Sequence, residues 1–167
     1  MIANAITITA TLILIAGVID DLRSRKVHNQ LFLAATAIAF IVSAVTGGVA
    51  GVGGAITGFI AGMAILLPLV LLGVIGAGDM KLMAAFGAVV GWNAVINVAI
   101  LSLIWGALFG LLQVILQGQL KATLGNMIAV LSSSKEQRAK LELHKIPFTV
   151  GLLLGWMTHL VWTRAFF

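Results

Sequence analysis

The chain has 167 residues, of which 61% are hydrophobic and 9% are charged, and its mean hydropathy is +1.16. Soluble domains carry about 25% charged residues, so this composition excludes a soluble globular domain and indicates a helical membrane protein. The net charge of +5 does not indicate a nucleic-acid partner, because the basic residues lie mainly in two short segments between apolar runs. Cysteine is absent, which excludes disulfides, thiolate catalysis and cysteine-ligated zinc.

The apolar runs predict an all-α bundle of about six transmembrane helices in a single integral-membrane domain, residues 1–167. The first run has no basic start and no convincing cleavage site, so we interpret it as a retained span. A glycine-rich turn is expected between the second and third spans, and a break at Gly91 between the fourth and fifth. The predicted spans are residues 2–19, 31–46, 55–72, 80–91, 94–116 and 147–163. The predicted cytoplasmic loops are residues 20–30, 73–79 and 117–146.

The distribution of lysine and arginine predicts the orientation of the bundle. Most of these residues collect in the cytoplasm when the loops after the first and fifth spans lie there, as the positive-inside rule requires. Six spans then place both termini on the non-cytoplasmic side. Three of the five acidic residues, Asp20, Asp21 and Asp79, fall at the cytoplasmic ends of spans.

Asp79 stands in the segment G-A-G-D-M-K, residues 76–81, between two strongly apolar stretches. An aspartate there can simply cap a helix N-terminus, whereas ionisable groups at membrane depth are costly enough to favour a function. Gly76 and Gly78 would permit a sharp turn or the close approach of a bound peptide. Asp21 likewise has two interpretations from the residues alone, a solvated ion pair or a functional carboxylate.

Two aspartates that meet at one edge of a bundle retain one proton between them, so that one is a base and the other an acid. The base activates water and the acid protonates a peptide carbonyl, which requires no metal or cofactor. The three histidines, His28, His144 and His159, are scattered and no H-E-x-x-H pattern is present, so no metal site is expected. The spacing of a phosphate-binding loop is also missing.

Three segments resemble the prepilin peptidase (type IV leader peptidase) family of G-x-G-D membrane aspartic proteases. G-A-G-D-M-K-L-M-A-A-F-G-A, residues 76–88, is similar to the family's G-x-G-D-x-K-L stretch. D-L-R-S-R-K-V-H-N, residues 21–29, is similar to its first aspartate motif, D-x-x-x-x-x-I-P-N. I-P-F-T-V-G-L-L-L-G, residues 146–155, resembles the start of its last helix. The resemblance thus extends from the first predicted span to the last.

Carried over position by position, the resemblance implies a catalytic pair and its supporting residues. Asp21 and Asp79 match the two catalytic aspartates. Asn29 matches the asparagine of the first motif, and Gly76 and Gly78 match the glycines of the second.

Two residues depart from the family pattern. His28 stands where the family has proline, which makes the turn after the first motif less rigid. Asp20 adds a second acidic side chain beside Asp21, although the motif register favours Asp21.

Lys81 either extends to the membrane interface or favours the ionised form of Asp79.

The resemblance also implies the substrate and the location. The chain lacks the cysteine-rich insert of larger members that also methylate the new N-terminus, so it resembles the short, peptidase-only branch that serves Tad/Flp-type pili. The implied partners are the bilayer and a prepilin-like protein, whose short basic leader is cut at the cytoplasmic face of the prokaryotic inner membrane. Glu136, Glu142 or lipid would recognise that leader. The oligomeric state is left open.

Two other functions stay open at this point. Asp21, Asp79 and Lys81 suit a proton or ion relay in a small transporter, although the halves of the chain show no convincing internal repeat. Alternatively, the aspartates only set topology in a non-catalytic subunit of a pilus or secretion assembly.

Overall fold

A computed structural model describes residues 2–24, 26–116 and 148–166. These residues form helices and no strands, which confirms the all-helical fold class. Three segments are long and apolar enough to cross a membrane, namely Asn4–Ser24, Asn29–Leu71 and Trp92–Leu112. The helices are α1 (Ile2–Ser24), α2 (Asn29–Leu71), α3 (Ala77–Val90), α4 (Trp92–Leu116) and α5 (Phe148–Phe166).

The sequence predicts about six spans, whereas the described residues form five helices. The predicted second and third spans are joined without a loop in α2, which has 43 residues. The glycine-rich stretch between them contains one residue with a non-helical conformation, Gly48. A straight helix of that length would extend for about 65 Å, roughly twice the thickness of the hydrocarbon core.

The helix α2 is not straight, because it doubles back at Gly48. This residue has φ 57° and ψ −140°, a conformation that residues with a side chain rarely adopt. Gly51 packs against the backbone carbonyl of Ser43, and the rings of Phe40 and Phe59 lie 6.5 Å apart, so the two arms run side by side. The arms, residues 29–47 and 49–71, contain the predicted second span and all but the last residue of the predicted third.

The short helix α3 forms the centre of the bundle and contacts α1, α2 and α5. Every residue from Leu82 to Val89 is buried, as expected for a helix that is apolar on all sides. Gly58 of the second arm of α2 and Gly87 of α3 pack backbone to backbone, and a methyl group on either would collide with the other's carbonyl. Small residues at such contacts allow membrane helices to approach closely.

Trp156 of α5 joins three helices in the core. Its indole nitrogen Nε1 donates a hydrogen bond to Thr11 Oγ1 of α1 at 2.9 Å. Its ring also meets Phe86 of α3 edge-on, with the centroids 5.1 Å apart. Trp156 is buried, so it is a core side chain rather than an interfacial anchor.

The outward faces of the helices are covered by exposed large apolar side chains, among them Ile8, Ile41 and Ile104. Apolar surface of this extent suits contact with lipid rather than water. The chain is therefore a membrane helix bundle. By its backbone contacts it divides into two compact units, one of Met1–Trp105 with Pro147–Phe167 and one of Gly106–Ile146. All the residues of the candidate site that the structure describes belong to the first unit.

Two helix ends differ from the prediction and bear on the site. The helix α1 continues through Asp20 and Asp21 to Ser24, although the prediction places these residues in a loop. The helix α3 begins at Ala77, so Asp79 lies in its first turn. Both aspartates therefore project from helices rather than from loops, which restricts their positions.

Candidate active site

Asp21 lies in the last turns of α1 and is half-buried. Its Oδ2 atom accepts a hydrogen bond from the hydroxyl of Thr149, which lies in the first turn of α5, at 2.8 Å. Thr149 is completely buried. This contact spans 128 positions of sequence and fixes the carboxylate between the end of α1 and the start of α5.

Asp79 projects from the first turn of α3 and is also half-buried. Its Oδ2 atom accepts a hydrogen bond from the backbone N–H of Gly76 at 3.2 Å. The side chain therefore does cap the helix, as an aspartate at an N-terminus commonly does. This contact leaves Oδ1 without a hydrogen-bond partner among the described residues.

The structure brings Asp21 and Asp79 into one site. Asp79 lies outside the three long apolar segments, yet burial raises its pKa, and the negative charge of Asp21 raises it further. The hydrogen bond from Gly76 acts in the opposite direction, and the resulting pKa is about 7, against 3.8 for an ordinary aspartate. Near neutral pH the site thus holds a carboxyl group that is readily protonated beside a second carboxylate.

Gly78 allows the loop after α1 to pack against the first turn of α3. A Cβ atom at this position would lie 3.1 Å from the Cβ of Val27, which is itself buried. The close approach expected at this glycine is therefore made by the chain's own loop. Gly76, by contrast, has φ −73° and ψ 146°, a conformation open to any residue.

Lys81 joins α3 to the start of α2. Its Nζ atom donates a hydrogen bond to Asn29 Oδ1 at 2.6 Å and lies 5.9 Å from the centroid of the Phe32 ring. Burial, Asp21 and Gly76 account for the shifted pKa of Asp79, and Lys81 is not among its causes. Two residues that the resemblance places in separate motifs, Asn29 and Lys81, are thus direct partners.

Asp20 binds a different partner, His28. Its Oδ2 accepts the backbone N–H of His28 at 2.7 Å, and its Oδ1 lies 2.8 Å from the ring nitrogen Nδ1. His28 is the residue immediately before α2, with φ −68°. The two departures from the family pattern are therefore in contact, and the adjacent aspartates have different partners.

A model of the "Type IV leader peptidase family" matches residues 8–111, more than half of the chain. The chain belongs to this family. It is accordingly a peptidase of the type IV leader peptidase kind, and its apolar helices place it in a membrane. No curated protein and no solved structure matches the chain significantly.

The matched region includes Asp21, Asn29, Gly76, Gly78 and Asp79. The structure places all five at one end of the bundle, where α1 ends and where α2 and α3 begin. Their assignment as catalytic or supporting residues of the peptidase stays a prediction that rests on this convergence. Glu136 and Glu142, expected to meet a leader, lie outside the described residues.

Sequence reasoning did not identify Thr149 as a site residue. A threonine in an apolar helix is ordinary, and hydroxyl groups often serve helix packing in membranes. The only signal is its position in I-P-F-T-V-G, the segment that resembles the start of the family's last helix. Its contact with Asp21 follows from the packing of α5 against α1.

Proposed function

We propose that this peptidase is an aspartic endopeptidase that removes the N-terminal leader of a prepilin-like protein at the cytoplasmic face of the inner membrane. The observation that carries the proposal is the electrostatic pairing of Asp21 with Asp79, whose pKa is raised to about 7. A carboxyl group with a pKa near 7 can give its proton to a peptide carbonyl near neutral pH, and a second carboxyl group beside it can serve as the base.

The chemistry is the addition of water to a peptide bond. One carboxylate accepts a proton from water while the water oxygen attacks the carbonyl carbon, and the other carboxyl group gives its proton to the carbonyl oxygen. The C–N bond of the resulting diol then breaks. The amine nitrogen receives the proton held by the first group, and the second group takes one back from a diol hydroxyl. Both carboxyl groups return to their starting states.

The substrate and the membrane face are inferred from charge and position. Arg23 and Lys26 are exposed beside Asp21, at the end of the bundle where the positive-inside rule expects cytoplasm. A leader that precedes a hydrophobic helix would present its cleavage site at that interface, with the helix in lipid. The resemblance favours the short branch associated with Tad/Flp-type pili, without N-methyltransferase activity.

Co-expression with a pilin-like precursor that carries a short basic leader tests this function. The wild-type chain should yield a shortened product with a new N-terminus, detected by mass spectrometry. Asp21→Asn and Asp79→Asn should each abolish the product, whereas Asp20→Asn, the matched neighbouring change, should retain substantial cleavage. Cleavage that survives both Asn substitutions would exclude the aspartic mechanism. Loss of ion flux without any peptide product would favour the transporter alternative.

A further inference from the structure

Gly17 is the point at which the backbone of α1 packs directly onto a side chain of α3. It is buried, and a Cβ atom added there would collide with both δ carbons of Leu82 and would lie 3.1 Å from its Cγ. Leu82 is 1% exposed and begins the buried run that continues to Val89, so packed groups surround it. We therefore expect a methyl group at position 17 to separate the two helices.

This contact lies about one helical turn from each acid. Gly17 and Asp21 are four positions apart on α1, so they share a face of that helix. Asp79 and Leu82 are three positions apart on α3 and share a face in the same way. The separation of the two carboxyl groups is therefore tied to the separation of the helices at this contact.

The buried face of α1 explains why a glycine stands there. Residues 10, 14, 17 and 21 follow one another at the spacing of a single helix face. Ala10 and Leu14 are 0% exposed and belong to the same core as Leu82. A glycine inside a helix is destabilising relative to alanine, because it has more backbone freedom to lose. At Gly17 the space for a side chain is already occupied by Leu82.

Resting on the function proposed above, we infer that Gly17 is a positioning residue for peptide cleavage. Its contact with Leu82 sets the distance between the side chains of Asp21 and Asp79. An ordinary contact between carbon atoms needs about 3.5–4.0 Å, so a methyl group at position 17 should move α1 away from α3 by roughly 1 Å. Both carboxyl groups must lie within hydrogen-bond reach of the reacting atoms, and a misplacement of about 1 Å can lower a rate about 100-fold.

Cross-linking measures the separation without any substrate. The chain has no cysteine, so Asp21→Cys together with Asp79→Cys gives one pair of thiols in the full-length chain. Bifunctional methanethiosulfonate reagents of graded length then show which length joins the thiols most efficiently, as read by peptide mass spectrometry. Gly17→Ala should shift the preferred length upward. Leu82→Val, which removes the δ carbons, should shift it downward, and the two changes together should return it to the starting value.

Cleavage kinetics provide a second measurement, made with both aspartates in place. Gly17→Ala should lower kcat about 100-fold and change KM by less than about threefold, because the added methyl group lies inside the bundle. Adding Leu82→Val should restore kcat to at least about one tenth of the wild-type value, since it removes the atoms that the methyl group meets.

Gly51→Ala is the matched control, since its added Cβ would collide with the backbone carbonyl of Ser43 inside α2. It should lower the melting temperature and leave kcat unchanged. A loss of kcat in both alanine variants that follows their loss of melting temperature would mean that Gly17 has only a structural role.

Two further results would overturn the inference. One is an unchanged cross-linking length in Gly17→Ala, or in Leu82→Val should the first variant not fold. The other is a loss of kcat that Leu82→Val does not relieve. In either case the inactivity of Asp21→Asn and Asp79→Asn would still support the proposed function. Cleavage by those two variants would overturn the proposed function, and the cross-linking lengths would still report whether Gly17 sets the separation.

Discussion

The carboxylate of Asp20 holds His28 through two contacts, at 2.7 Å to the backbone nitrogen and 2.8 Å to Nδ1. These residues frame the loop that follows Asp21, and they are the two departures from the family pattern. Because φ of His28 is −68°, the backbone already has the angle that proline imposes. The Asp20–His28 pair therefore restrains this turn at the backbone angle that a proline would impose.

A double-substitution cycle on this pair is the first prediction. Asp20→Ala should lower kcat/KM roughly twofold to fivefold, because the loss of exposed hydrogen bonds costs about 0.5–1 kcal/mol. His28→Pro should fold, because the angle fits, and should remove the backbone donor. In the His28→Pro background Asp20→Ala should cost almost nothing. Additive losses measured in the cleavage assay would show that the two residues act independently.

A methyl group at Gly78 should disturb the site through Val27. The added Cβ would lie 3.1 Å from Val27 Cβ, so the loop after Asp21 must move by a few tenths of an ångström. We expect Gly78→Ala to lower kcat/KM about tenfold, equivalent to about 1.4 kcal/mol, and Gly78→Val to abolish cleavage. Gly54→Ala is the control, since nothing lies within 4 Å of its added Cβ. Similar losses in both alanine variants would refute the packing argument.

Lys81 should stabilise the join between α2 and α3 without tuning Asp79. Lys81→Met and Asn29→Ala should each reduce thermal stability, and the double variant should be no worse than either, because each removes the 2.6 Å hydrogen bond. The basic limb of the pH–rate profile should not move in Lys81→Met, since Lys81 does not set the pKa of Asp79. A downward or upward shift of that limb would restore the tuning interpretation.

The raised pKa of Asp79 predicts a pH-dependent stability. The folded chain keeps the proton up to about pH 7, whereas the unfolded chain releases it near 3.8, so the folded state binds more protons in between. The free energy of unfolding therefore falls as the pH rises through that interval. Asp79→Asn cannot ionise, so its melting temperature relative to the wild type should rise by roughly 5 °C between pH 5 and pH 8.

Thermal unfolding of the detergent-solubilised chain measures this difference. Asp20→Asn, which replaces an aspartate that does not affect the pKa of Asp79, should show no gain at pH 8. An advantage of Asp79→Asn that is equal at both pH values would mean that its cause is packing rather than ionisation.

The positions of Asp21 and Asp79 are predictable from sequence because local rules determine them. Each lies at an end of an apolar run, and the length of a span fixes which ends meet the same interface. The doubling back of α2 is only partly predictable. The glycines between residues 47 and 54 indicate a turn, but nothing in the sequence selects Gly48 as the residue with the reversed backbone.

The hydrogen-bond partners of the site residues were not predictable, since they depend on packing between distant segments. Thr149 meets Asp21 across 128 positions, and Lys81 meets Asn29 across 52. Asp20 and Asp21 are adjacent and chemically identical, so only the rotation of α1 against its neighbours separates their roles. Hydrophobic periodicity does not determine that rotation here, because α3 is apolar on every side.

The contact of Gly58 with Gly87 has a mechanical consequence for the chemistry. Gly87 lies roughly two turns beyond Asp79 on the same helix. The backbone contact between Gly87 and Gly58 of α2 therefore determines how far α3, and with it Asp79, can move along the helix axis. A shift of α3 along its axis would drive carbonyl oxygens into the opposing chain. This backbone contact therefore fixes the position of Asp79 along the axis of α3, and a peptide substrate would have to displace an element other than α3 to reach the acid.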